Sequence, residues 1–479
     1  MRRRTVLQGL LASAAAATRM PAAHGKARSG SASRRTDVVV IGAGLSGLYC
    51  TRLLEQQGVR VTVLEGRPDR VGGRVYTLHD LPGRPEAGGE IFGPQYGRCL
   101  DVLRELDVPQ KAPNPRTQVR AGDLLLRIRD QNIRIEAWPA HPLNPHPEDL
   151  RRLTPPQLFF AHLAGLAPFK SLDDWTRPEL SQWDVSFAQW MASQGFNDET
   201  IRLQQVNTAY GNTLYDVSAM HVFHFYVWSR MNATGPGRTQ CVGGNDRLPK
   251  GMHEGLKGSV HLGARIVALE DRGDHVVAFA EDGKVTEATL AVCTLPATIL
   301  RHLRVDPPLA GLQREAVQSL PYYATFQAHY AFRRRFWEDD GLPPSLWTDG
   351  ALDRVNLLRD ESGEPACLLV YVNGLQAQRL DKLSPAEADR FIRAELGRIR
   401  PSTRGQLRLL RLHSNQNDPY ISGSYAFWSP GMPLRFPAAL AAQHGRIHFA
   451  GEHTARIARG MEGAMESGER AALEVLARL

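Results

Sequence analysis

The chain has little with which to cross a membrane, hold a metal or lock itself covalently. No eighteen-residue apolar run occurs in its 479 residues, so no membrane-spanning helix is expected. Its five cysteines, Cys50, Cys99, Cys241, Cys293 and Cys367, have neither paired nor metal-ligand spacing, and they read as buried free thiols. No internal repeat is present. The formal charge of +8 is misleading. Residues 1–36 hold eight basic side chains and no acidic one, and the basic residues of the remainder balance its 50 acidic ones. The body of the chain therefore carries no charge argument for nucleic acid or an anionic membrane.

The basic excess belongs to a targeting segment. Arg3-Arg4-Thr5-Val6-Leu7-Gln8 resembles a twin-arginine export signal. The apolar run Val6 to Ala17 and a Ser/Arg-rich linker, Ser29 to Arg35, follow it. Export to the periplasm or the medium is expected, with a cytoplasmic location as the alternative. No clean Ala-x-Ala marks a cleavage site. The length implies two domains after residue 36.

What is present begins with Asp37 to Ile41, a short apolar run of the kind that forms a buried parallel strand. Gly42, Gly44 and Gly47 follow at G-x-G-x-x-G spacing. Gly42 permits a tight turn, Gly44 lets backbone approach a pyrophosphate, and Gly47 lets the next helix pack against the strand. Leu45 to Gln57 reads as that helix, with its N-terminus offered to phosphates and Gly58 as C-cap. A second strand, Val59 to Leu64, ends in Glu65, placed to accept ribose hydroxyls. Gly66-Arg67 and Gly72-Gly73-Arg74 then suit a second pass of backbone along a long diphosphate cofactor. Glu86-Ala87-Gly88-Gly89-Glu90-Ile91 is a loop able to lie close to a planar ring. Near the other end stand Gly451-Glu452-His453-Thr454 and a helix from Met461 to Ala477 with small residues on one face. The helix N-terminus suits a group on which negative charge develops.

Between these ends, Pro139 to Pro156 reads as a surface loop. Residues 115–240 look helical and aromatic, with Trp175, Trp183, Trp190, Tyr210 and Trp228 mostly in the core. Asp282-Gly283 marks a hairpin between His275–Ala280 and Lys284–Thr294.

These pieces resemble, in order, the flavin-containing amine oxidase family of monoamine, polyamine and L-amino acid oxidases. The match runs through Val63-Leu64-Glu65 to Val75, Gly88-Gly89-Glu90, Val242 to Pro249, Cys293-Thr294-Leu295-Pro296 and the C-terminal segment. The resemblance implies a Rossmann-type α/β FAD-binding domain of the GR2 flavoprotein type with an interleaved α+β substrate-binding domain. The first domain is expected over 37–115, 240–310 and 415–479, the second over 116–239 and 311–414. It further implies that Ile266 or Val267 packs on the adenine. The reaction implied is hydride transfer from an amine carbon to flavin N5, giving an imine that hydrolyses. Electrons would pass to O2 or a redox carrier. The partners are a small amine or amino acid and that acceptor, with a homodimer left open. Covalent members attach the flavin through cysteine in Gly-Cys-Tyr. The matching stretch is Gly423-Ser424-Tyr425, so non-covalent FAD is expected.

Three positions depart from the family. Its lysine near flavin N5 falls on Gln327, ten residues before Trp337, which favours a dehydrogenase or desaturase using a carrier. Glu90-Ile91-Phe92 has no arginine for a substrate carboxylate, as in the amine branch, although Asp418-Pro419-Tyr420 looks like bacterial amino acid oxidases. Of the aromatic cage, Tyr425 or Trp428 can supply one wall, and the partner position is Gly460. A wider site follows. A flavin protein without catalysis is a further alternative.

Overall fold

The computed structural model describes residues 36–113, 119, 122–206, 210–233 and 237–479. The expected export signal and linker lie outside them. Val38, Val39 and Val40 are wholly buried in the strand Thr36–Ile41, as an apolar run covered on both faces requires. This strand is parallel to Val61–Leu64 on one side and to Val285–Cys293 on the other. The sheet continues through Ser259–His261 beyond Val61–Leu64. On the other side it continues through the antiparallel Val276–Ala280 and Ile266–Asp271, then Arg304–Asp306. Ile447–Phe449 joins parallel to the far end of Val285–Cys293.

Ile41 is in register with both Leu64 and Cys293. Three strand ends thus open at one place, the crevice where open α/β sheets bind ligands. The helix Leu45–Gln56 leaves from there, and Gly58 takes φ +81 just past its end. The C-terminal helix Gly460–Leu476 packs across it. At the crossing a Cβ on Gly468 would overlap the Ser46 carbonyl oxygen, so only glycine permits this approach. The expected hairpin pairs Val285 with Phe279, with Gly283 at φ +84 in the turn.

A second sheet of seven strands runs in the order Leu407–Ser414, Thr325–Phe332, Pro365–Asn373, Arg354–Arg359, Ser345–Thr348, Leu124–Ile128, Gln131–Arg134. Strand alternation divides its faces. Phe326, Ala328 and Tyr330 pack with Ala388, Ile392 and Leu396 of the helix Pro385–Ile399. Thr325 and Gln327 face the other way, and the Gln327 side-chain nitrogen donates to the Ala87 carbonyl at 2.9 Å. The helices between Pro155 and Ala233 enclose Trp175, Phe187, Trp190 and Phe223 in an aromatic core.

The segment 139–156 differs from a simple surface loop. Asn144 and His146 are buried. The Asn144 amide donates to the Trp138 and Arg151 carbonyls, so a side chain satisfies backbone that water would otherwise reach. All five cysteines are free and buried. Among the described residues no helix is long and apolar enough to cross a membrane, and no cluster suits a metal ion.

Candidate active site

A cleft begins at the carboxyl ends of the three parallel strands. Its floor is backbone. Gly42 takes φ +103, and its N–H donates to the Leu64 carbonyl at 2.8 Å. A Cβ on Gly47 would overlap the Gly42 carbonyl oxygen, whereas one on Gly44 would meet nothing within 4 Å. Gly47 is therefore needed for packing, and Gly44 faces open cleft. Glu65 lines the same wall. One of its oxygens accepts from Ala43 N and the other from Arg67 N, each at 2.7 Å. Each retains a lone pair for a hydroxyl. Burial raises the Glu65 carboxyl above its usual range, and the two N–H donors oppose that.

Further along, Gly73 and Arg74 line the cleft with Gly89, Glu452 and Met461. Arg74 Nη1 pairs with Glu452 Oε1 at 2.8 Å and donates to the Ser424 carbonyl at 2.9 Å. Arg67 pairs with Asp418 and lies over the Tyr420 ring, 4.9 Å from its centroid. Gly89 is held by Asn245, whose side-chain nitrogen donates to the Gly89 and Glu90 carbonyls at 3.1 and 2.9 Å. Ile266 and Val267 wall the far end. A dinucleotide of flavin length fits this donor set. A carboxylate stands where ribose would lie, glycine backbone at Gly44 and Gly73 lines the diphosphate stretch, and a glycine–methionine contact closes the ring end.

A second cavity, about 570 Å3, adjoins the ring end. Tyr371, Tyr425, Glu452 and Gly460 line both spaces, so the two adjoin. Phe159, Tyr210, Phe225, Trp228 and Tyr323 supply most of its apolar wall, and Arg238, Arg354 and Arg459 its positive charge. Tyr425 stacks on Tyr323 with centroids 4.9 Å apart. Burial pushes both phenols well above their usual range, so both stay protonated. A cavity of this size, mostly apolar with few polar groups, has the form of a small-molecule site.

The expected residues separate here. Gly42, Gly44, Glu65, Arg67, Gly73, Arg74, Gly89, Ile266, Val267, Tyr425, Glu452 and Met461 line the cleft. Glu90 does not line it. Its carbonyl is turned to Gln240 and Asn245. Ile91 lines the second cavity instead. Gly47 and Gly451 are packing and turn positions, Gly451 donating its N–H to Ser467 Oγ at 2.9 Å. Trp428 stands on neither wall. It is buried against Trp175, ring centroids 5.8 Å apart, and its carbonyl accepts from Ser218 N. Gln327 lies behind Ala87 rather than on the wall, and its Oε1 is buried without a partner among the described residues. Sequence reading missed Tyr371, Arg354 and Arg459. Only Arg459 carried a visible signal, a lone arginine directly before Gly460 in the C-terminal segment.

The chain matches the family of flavin-containing amine oxidoreductases over residues 45–476, and it belongs to that family. It is 25% identical over 474 residues to flavin-containing amine oxidase B of Sus scrofa, covering 93% of this chain and 86% of that protein. Amine oxidase A of Sus scrofa is 24% identical over 477 residues, with 94% and 86% covered. Among solved structures, putrescine oxidase bound to putrescine is similar with TM-score 0.73 at 22% identity, covering 93% of this chain and 99% of that one. Cyclohexylamine oxidase from Brevibacterium oxydans IH-35A is similar with TM-score 0.72 at 22% identity, with the same coverage. These two likenesses show the shared fold. The protein is thus an amine oxidoreductase that uses a flavin.

Proposed function

We propose that the chain binds FAD non-covalently and oxidises the C–N bond of a small amine, releasing an imine that water hydrolyses. The observation that carries this is that the aromatic cavity adjoins the cofactor cleft, with Tyr371, Tyr425 and Gly460 on the walls of both. Bound flavin supplies the hydride acceptor. The protein positions the amine carbon, and its aromatic walls exclude water. Ser424 stands where a cysteine would be needed for covalent attachment, and no cysteine lies nearer than buried Cys367 in the chain.

Gln327 bears on the electron acceptor. Where the family resemblance places a lysine stands a neutral amide held behind Ala87, so this position supplies no positive charge to favour a superoxide-like state during reoxidation, and on that ground we assign electron delivery to a redox carrier rather than O2. The test is anaerobic bleaching of the holoenzyme by a panel of amines and amino acids, followed by mixing with O2 or with a soluble quinone. Bleaching with fast quinone and slow O2 reoxidation is expected. No bleaching by any compound overturns the oxidase reading, and fast O2 reoxidation overturns the carrier assignment alone.

We also assign the protein to export, on the Arg3-Arg4 pair. Replacing both by lysine keeps the charge and should leave the protein in the cytoplasm. Unchanged export of that variant refutes the assignment.

A further inference from the structure

Arg459 differs from four of the other inner arginines. Arg67, Arg74, Arg98 and Arg400 each face a carboxylate, on Asp418, Glu452, Glu462 and Asp340. Arg459 faces imidazoles. Its Nη2 lies 3.1 Å from His221 Nε2, and its Nη1 lies 3.4 and 3.5 Å from the Nδ1 atoms of His221 and His224. Its guanidinium carbon sits 5.6 Å from the Phe225 ring centroid. No ion pair to Arg459 occurs among the described residues.

The imidazoles do not supply the missing charge, since neither carries a negative one. His224 Nε2 lies 3.0 Å from the Ile457 carbonyl. That carbonyl can only accept, so Nε2 holds the proton and Nδ1 is left as an acceptor toward Arg459. Burial, and then the Arg459 charge, hold His221 well below its ordinary value and His224 at about 3. Glu452 acts on Arg459 at a distance but is already engaged by Arg74 and by Ala426 N at 3.0 Å.

The backbone that carries Arg459 is also held in place. The Glu466 carboxylate accepts from three successive N–H groups, Arg456 at 2.8, Ile457 at 3.1 and Ala458 at 2.6 Å. Trp175 Nε1 donates to the Arg456 carbonyl at 2.9 Å. A cation fixed at the cavity wall without a counter-ion is costly, and a planar guanidinium suits a carboxylate. Arg354 and Arg238 add two further guanidinium groups to the same cavity, which disfavours a substrate with a second positive group.

We infer that Arg459 anchors a carboxylate of the substrate, so that the enzyme takes amino carboxylates in preference to the matching simple amines and diamines. The inference rests on the amine-oxidising reading above and names its substrate class. It places the anchor after Ala458, not in the loop that follows Gly89.

The test uses holoenzyme and matched pairs, each amino acid beside its decarboxylated amine, ornithine beside putrescine and phenylalanine beside phenethylamine included. Anaerobic stopped-flow reduction should half-saturate at a concentration at least about 100-fold lower for the carboxylated member. Arg459→Gln should weaken the carboxylated members far more than the simple amines and so remove most of that difference, and Arg459→Lys should restore part of it. Independently of turnover, benzoate should perturb the bound-flavin absorbance of the wild type and of Arg459→Lys, and not that of Arg459→Gln. Benzyl alcohol should perturb none differently. A simple amine that matches its amino acid, or benzoate binding indifferent to Arg459, overturns the inference. If no compound bleaches the flavin while benzoate binding still depends on Arg459, the anion site stands and the amine-oxidising reading falls.

Discussion

The cofactor cleft and the cavity beside it are built on opposite principles. The cleft is made of backbone, and its arginines are neutralised by the protein itself, Arg67 by Asp418 and Arg74 by Glu452. The cavity is made of side chains from distant segments, and Arg459 is left among neutral imidazoles. A ligand that is always the same can be met by fixed backbone and balanced charge. A ligand that differs between relatives is met by side chains, and an unbalanced charge there is a statement about the ligand.

The strongest test of this contrast lies within the glycine motif. Gly47→Ala should disrupt the cleft itself, because its Cβ overlaps the Gly42 carbonyl oxygen. A loss of about 1–3 kcal/mol or more is expected, with flavin lost as well. Gly44→Ala should behave differently. Its backbone, φ −75, suits alanine, and its Cβ meets no protein atom within 4 Å. The flavin-free protein should melt like wild type, while flavin affinity falls about 100-fold, or about 2.8 kcal/mol. Thermal melts of the flavin-free variants and a flavin titration separate the two. Equal melting losses would mean that Gly44 is a packing residue as well.

A smaller effect sharpens the cavity side. His221 and His224 are held neutral, so their folded-state values lie below the unfolded value of about 6.5. Their contribution to stability is complete above about pH 6.5 and is lost as pH falls toward the folded value, about 3 for His224. Between pH 7.5 and 4.5 the wild type should therefore lose a few degrees of melting temperature more than His224→Gln. Parallel melting curves for the two proteins would show that the imidazoles do not titrate in this window.

What could be read from the chain follows the same division. Gly42, Gly44, Gly47 and Glu65 were legible because a strand, a turn and a helix N-terminus impose local spacing on them. The hairpin at Gly283 and the face of the C-terminal helix were legible for the same reason. Tyr371 and Arg354 were not, because they sit on strands whose alternation marks which residues are buried and not what they face. Trp428 was expected, as the alternative to Tyr425, on one wall of the aromatic cage that the family resemblance implies. Chain proximity did not survive the turn that carries it into the helical core against Trp175. Gln327 was placed from resemblance. The structure puts it one layer behind the wall, bonded to Ala87, where it acts on the cleft only through the backbone that it supports.

The C-terminal helix also has a consequence in time. Thr36–Ile41 and its glycine turn emerge early in synthesis, yet Ile447–Phe449 and Gly460–Leu476 complete their sheet and close their cleft. Some 400 residues separate the two halves, which at about 5–20 residues per second is a delay of about 20–80 s. Until the last helix crosses Ser46, the first helix has no neighbour on that side and the ring end of the cleft has no Met461. Flavin loading thus requires both segments, and a chain cut before Gly460 should come out without colour.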